Sequence, residues 1–162
     1  MKSPKNTKEI KAKLNKFLCP YGFAAITLFG IIYVRKKEYL WKINRTNKID
    51  SILENHEMIH IRQAWGTKNS WFIFYLLYIW QWICNLPLFI FGLKMPYRFI
   101  EFELEATCNE LNFSYNTENP TYGWKKYKKL TFCDKWKMAK EFKKSKSFYF
   151  KPFVRRKLNS FI

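Results

Sequence analysis

The 162-residue chain has two histidines, and both stand in the run His56-Glu57-Met58-Ile59-His60. On a helix, the spacing H-E-x-x-H sets two imidazoles one turn apart on one face, close enough to share an ion, with the glutamate at the rim of that face. Zinc held there keeps a coordination position for water and lowers the water's pKa towards neutrality. A carboxylate beside it takes the proton and passes it to a leaving amine. The pattern predicts His56 and His60 as metal ligands, Glu57 as general base, and peptide-bond hydrolysis as the reaction. The bland alternative is an amphipathic helix whose histidines are partly exposed or satisfied by hydrogen bonds.

A third ligand has to come from elsewhere, and with no histidine left it is a carboxylate or, less often, a cysteine. The stretch Glu103-Leu104-Glu105-Ala106-Thr107 offers two carboxylates. Residues two apart on a helix differ by about 200°, so only one of them can point at the metal. Phe99, Phe102, Ala106 and Phe113 define an inward side, with Glu103 and Glu110 on or beside it. Glu101, Glu105, Cys108 and Asn112 form the opposite, more polar stripe. Glu103 is therefore the expected ligand and Glu105 is expected in solvent. Tyr97, Arg98 and Gln63 are the candidate donors to a developing oxyanion.

The elements that must position these residues can be read in outline. Residues 1–16 are basic and polar, as in a flexible arm or a frayed helix. The run from Ala25 to Val34 is β-branched and aromatic and reads as one buried strand, with Tyr39–Ile43 as hairpin partner across Arg35-Lys36-Lys37. A helix follows, capped by Asn47 or Ser51, with Gly66 placed as a C′ glycine. Its apolar stripe of Ile49, Ile52, Leu53 and Ile59 is continued by His56, His60 and Gln63. Between Lys68 and Lys94 no residue is charged, and 71–93 is long enough to span a bilayer. A single straight crossing would set its flanks about 30 Å apart, incompatible with His60 and Glu103 sharing an ion. A broken hairpin turning near Asn85-Leu86-Pro87 is expected instead. Pro96 then starts a helix from Tyr97 to about Asn112. From Trp124 onward lysines interleave with aromatics, and Phe132, Trp136, Ala139 and Phe142 share one helical face, an interfacial pattern.

Composition narrows the setting. A formal charge of +18 calls for an anionic partner, and one residue in five is aromatic, which favours a lipid surface over nucleic acid. The four cysteines, Cys19, Cys84, Cys108 and Cys133, have no C-x-x-C pair and read as free thiols in a reducing compartment. The first apolar run lacks a small-residue cleavage site, so no signal peptide is expected.

The E-x-E-A stretch resembles the second motif of the gluzincins, a helix carrying E-x-x-x-D whose first Glu is the third zinc ligand; Thr107 stands where that Asp would be. More closely, His56-Glu57-Met58-Ile59-His60-Ile61-Arg62-Gln63 and Tyr97-Arg98-Phe99-Ile100-Glu101-Phe102-Glu103-Leu104-Glu105-Ala106 resemble a group of small bacterial gluzincin-like zinc peptidases, whose activity is itself inferred from the motif. The resemblance covers roughly residues 20–115. It implies zinc as cofactor, Glu103 as third ligand and a peptide or protein as substrate.

The expected fold is α+β, mainly α: a zincin-like minimal domain with a short N-terminal β-hairpin, an active-site helix, an apolar helical hairpin and a glutamate helix. The expected organisation is a basic arm over 1–16, the peptidase domain over 17–115 with its apolar segment 71–93, and a basic aromatic tail over 116–162. The expected function is zinc-dependent peptide hydrolysis at a membrane surface, on the cytoplasmic side. The competing readings are a non-catalytic module that binds anionic lipid or nucleic acid, and a degenerate peptidase with structural zinc.

Overall fold

The computed structural model describes residues 11–40, 43, 51–90, 96–118 and 122–145. In chain order the elements are β1 (Lys11–Leu14), β2 (Ala25–Leu28), β3 (Ile31–Val34), α1 (Lys37–Leu40), α2 (Ile52–Gly66), α3 (Trp71–Asn85), α4 (Pro87–Ile90), α5 (Glu101–Asn109), α6 (Tyr115–Glu118) and α7 (Phe132–Ser145), with 3-10 turns at Pro96–Phe99 and Gly123–Lys129. The architecture is α+β and mainly helical, as expected. Two compact units are present, Met1–Ile61 with Glu110–Glu118, and Arg62–Asn109 with Asn119–Ile162. The helix α2 contributes residues to both.

In the first unit the run from Ala25 to Val34 is a hairpin in itself rather than one strand. Phe29 and Gly30 take φ of 52° and 79°, and two successive left-handed residues make the tight turn whose twist matches that of paired strands. Gly30 adopts this conformation without steric cost. The antiparallel register pairs Ala25 with Val34 and Thr27 with Ile32, so these four side chains share the buried face. Ala25, Ile32 and Val34 pack with Ile43, and Leu53 of α2 leans on the same cluster. Thr27 is thus the one polar group on an apolar sheet face.

Two further expectations for this region are overturned. The stretch Tyr39–Ile43 is not the hairpin partner, because Lys37–Leu40 is a single helical turn; Trp41 and Lys42 lie outside the described residues. Part of the basic arm is a strand: β1 pairs in parallel with β3, Lys11 opposite Ile31. The hairpin uses one edge of β3 and leaves the other with unpaired backbone groups, which β1 satisfies. A ladder needs backbone rather than apolar side chains, so a strand with mostly exposed residues carries little hydrophobic signal. Residues 1–10 lie outside the described residues.

The start of α2 follows its sequence cue, with the Ser51 hydroxyl accepting from the Glu54 N–H at 3.1 Å; Asn47, the other candidate cap, lies outside the described residues. Its exit differs. Gly66 is the last helical residue, and the left-handed positions are Lys68 and Asn69, with φ of 56° and 55°. The Thr67 hydroxyl donates to the Ala64 carbonyl at 2.8 Å, closing the helix end from the side chain. Asn55 of α2 ties in the segment 110–118: its amide donates to the Glu110 and Asn112 carbonyls at 2.9 and 3.0 Å and accepts from Asn116 at 2.8 Å.

In the second unit Ser70 caps α3 by accepting from the Ile73 N–H at 3.3 Å. The turn expected at Asn85-Leu86-Pro87 is absent. Leu86 has helical φ and ψ of −53° and −38°, and Pro87 opens α4 at a first helical position, where its missing N–H breaks no bond. The apolar helix therefore continues past the expected break; residues 91–95 lie outside the described residues. On its inward side, Phe74 and Tyr78 meet Phe102 with ring centroids 4.9 and 6.2 Å apart, and Gln81 accepts from the Phe102 N–H at 3.4 Å.

The glutamate helix is shorter than its pattern suggests, because a 3-10 turn at Pro96–Phe99 precedes α5 and the helix ends at Asn109. The expected solvated stripe is also overturned. Glu105 is 2% exposed and accepts from Gln63 at 2.7 Å, while Glu101 accepts from Lys135 at 2.9 Å. Phe102 packs on Trp124 and Leu104 on Tyr127, so α5 is covered on several sides and has no water-facing stripe. The stretch expected as a tail is core-forming as far as Ala139: Trp124, Tyr127, Leu130, Met138 and Ala139 are all buried. Thr131 and Asp134 cap α7 reciprocally, N–H to side chain in both directions. The side chain of Phe142 and residues 146–162 lie outside the described residues.

Candidate metal centre

The geometry of His56 and His60 follows from α2 itself. One turn apart on a single helix, their Nε2 atoms stand 3.3 Å from each other. Two nitrogens bound to one tetrahedral zinc at about 2.05 Å would be about 3.3 Å apart. His60 is buried and His56 half-buried. The second ring nitrogen of His56 is also engaged, since Nδ1 lies 3.1 Å from Oε2 of Glu110. With Nδ1–H donating to that carboxylate, Nε2 carries the lone pair that a metal would take. Asn55, one residue before His56, holds the Glu110 backbone, so the carboxylate that orients the imidazole is fixed by the same helix.

Glu57 lies beside them, 5% exposed. Its Oε2 accepts a 2.6 Å hydrogen bond from the Thr27 hydroxyl of β2, the polar group left on the apolar sheet face. One carboxylate oxygen is thereby pinned. Cys19 is also within electrostatic range: burial, and next the negative charge of Glu57, push its thiol up.

Glu103 is half-buried on α5, and its Oε1 accepts from the Tyr78 hydroxyl of α3 at 2.8 Å. The ligand atoms of His56, His60 and Glu103 all lie within 4.8 Å of one another. Two neutral nitrogens and one carboxylate oxygen are a donor set that can hold a divalent metal.

Among the other sequence candidates, Gln63 is not an oxyanion donor. Its buried amide donates to Glu105 at 2.7 Å and to the Phe102 carbonyl at 3.0 Å, so both N–H groups serve as cement between α2 and α5. Tyr97 and Arg98 lie in the 3-10 turn before α5, where Arg98 Nε donates to the Tyr97 hydroxyl at 3.3 Å. Sequence reasoning missed Thr27, Tyr78 and Asn55 altogether. It placed Glu110 on the inward side but gave it no role.

No family model matches the chain, and neither does any curated protein or solved structure. The functional reading therefore rests on the residues themselves.

Proposed function

We propose that the chain is a zinc-dependent peptidase that works at a membrane surface, with zinc held by His56, His60 and Glu103. The observation that carries the reading is the convergence of these three ligands next to Glu57 on the H-E-x-x-H helix. Zinc, when bound, supplies Lewis acidity that polarises a scissile carbonyl and acidifies water towards neutral pH. Glu57 is the base: Thr27 holds Oε2, and Oε1 is left to take a proton from water and return it to the departing amine. Glu110 and Tyr78 hold the ligands His56 and Glu103 in place. Arg98 and Tyr97 are the proposed oxyanion donors, since a phenol that accepts from a guanidinium is the stronger donor for it.

The membrane setting is supported by the helix Trp71–Phe89, which is long and apolar enough to cross a bilayer, and by the +18 charge, which suits anionic headgroups. The four cysteines are all free, which fits the cytoplasmic side. The substrate is then a peptide or protein segment at that surface.

The test is Glu57→Gln. This variant is expected to keep its metal and lose turnover of a membrane-presented peptide library. A variant that hydrolyses as fast as wild type would remove Glu57 as the base and leave any bound zinc a structural role.

A further inference from the structure

The helix Trp71–Phe89 is apolar throughout but two-sided in its contacts. Its polar side chains Tyr78, Gln81 and Asn85 point inward, where Tyr78 reaches Glu103 and Gln81 meets the backbone of Phe102, and Tyr75 is half-buried against Trp71 and Phe74. The opposite side carries Phe72, Leu76, Ile79, Trp80, Ile83 and Leu86, all exposed, Phe72 by 71% and Trp80 by 64%. At 100° per residue these six fall within about a third of the helix circumference. The stripe is about 22 Å long at 1.5 Å per residue. A water-facing stripe of that length on a folded chain marks an interaction surface.

Length and hydropathy alone would allow this helix to cross a bilayer, but its neighbours argue against it. Tyr78 lies about 10 Å along the axis from Trp71, near the middle of any crossing. At that level α5 brings Glu103 against Tyr78, and Glu101 with its partner Lys135 lies one residue from Phe102. Trp124 packs on Phe102 at 4.8 Å, and Lys125 and Lys128 beside it are exposed. A crossing would carry these charges to the bilayer centre, where charged side chains are strongly disfavoured. A second copy of the chain is a poor cover for the stripe, because it would bring another +18 charge with it. An anionic lipid surface turns the same charge into attraction.

We propose that the helix Trp71–Phe89 lies in the plane of the membrane, its outward stripe sunk into one leaflet of an anionic bilayer and its inward side holding Glu103 through Tyr78. Interfacial helices bury their apolar face about 5–10 Å deep. Glu103, about one helix diameter or ~10 Å from the lipid-facing side, then stands at headgroup level, within reach of peptide segments at the bilayer surface. The inference rests on the membrane reading above and is independent of peptidase activity.

The experiment uses the full chain with the exposed Cys84 and Cys133 replaced by serine, and single spin labels on cysteines introduced at Phe72, Ile79 and Leu86. A sample without an introduced cysteine provides the blank for Cys19 and Cys108. On mixed phosphatidylcholine and phosphatidylglycerol vesicles, accessibility to oxygen and to a nickel chelate reads the depth of each label. The expected result is one common, shallow depth for all three. Ile79→Asp with Ile83→Asp, checked for fold by circular dichroism, is expected to weaken vesicle binding at least tenfold. A deep Ile79 between two shallow ends would mean a crossing helix, overturning the in-plane placement while leaving the membrane reading intact. Labels shielded from both lipid and water would mean that a second copy or residues 146–162 cover the stripe, and would also overturn it. A chain that does not bind the vesicles would sink the membrane reading and this inference together.

Discussion

Nδ1 of His56 and Oε2 of Glu110 lie 3.1 Å apart, an imidazole oriented by a carboxylate. The contact comes from Glu110, on the segment that Asn55 holds through its backbone. Outer-shell partners of this kind typically contribute about 10–100-fold to metal affinity. Glu110→Gln is therefore expected to weaken zinc binding by about that factor with the fold intact, because Asn55 grips the Glu110 backbone and not its side chain. Competition against a chelator of known affinity measures it; an unchanged zinc affinity would show that the contact is incidental.

Glu103 and Glu105 should separate cleanly. Glu103→Gln removes a proposed ligand and is expected to lose zinc early in a graded chelator series. Glu105→Gln touches the buried bond to Gln63 and is expected to cost about 1–3 kcal/mol of stability, seen as a lower urea midpoint, while zinc is retained. If Glu105→Gln loses metal first, the ligand assignment is wrong.

Thr27 is expected to position the base. Thr27→Val keeps the shape but deletes the hydrogen bond to Glu57, and turnover should fall about tenfold or more, mainly in kcat, with zinc content unchanged. Thr27→Ser should restore most of the rate. Equal rates for the valine variant and wild type would leave the 2.6 Å contact without a catalytic role.

What the sequence made legible, and what it did not, divides along physical lines. The H-E-x-x-H helix, its Ser51 cap and the pairing of two imidazoles on one face are consequences of local helical geometry, so spacing alone predicted them. The choice of Glu103 over Glu105 agrees with the ligand grouping, but one of its premises fails: Glu105 is buried, because α5 is enclosed and both carboxylates need partners. Thr27, Tyr78 and Asn55 make contacts that span 25 or more residues in sequence, and no periodicity marks such pairs. The strand β1 was hidden because it contributes backbone to a ladder and almost no apolar side chain to a core. The turn expected at Asn85-Leu86-Pro87 follows from requiring both flanks of the apolar segment to reach one ion; the helix instead continues through Pro87 at a first helical position, and Phe102 and Glu103 lie against Tyr78 in its middle.

Cys19 offers a check on the surroundings of Glu57 that needs no substrate. Burial and the Glu57 charge both disfavour its thiolate, so at mildly alkaline pH iodoacetamide is expected to modify the exposed Cys84 and Cys133 and spare Cys19. Because Glu57 raises the Cys19 pKa, Glu57→Gln should lower it and make Cys19 more reactive at a given pH. Peptide mass spectrometry reads each site; rapid labelling of Cys19 in the folded wild type would contradict the arrangement.

The central claim is a metal held by His56, His60 and Glu103. It is tested most directly by zinc stoichiometry, measured by elemental mass spectrometry on the purified full chain beside a His56→Ala, His60→Ala double variant of equal fold. The account predicts about one zinc per wild-type chain and almost none in the variant. A wild type without zinc after purification in its presence, or a variant that retains as much, would contradict it.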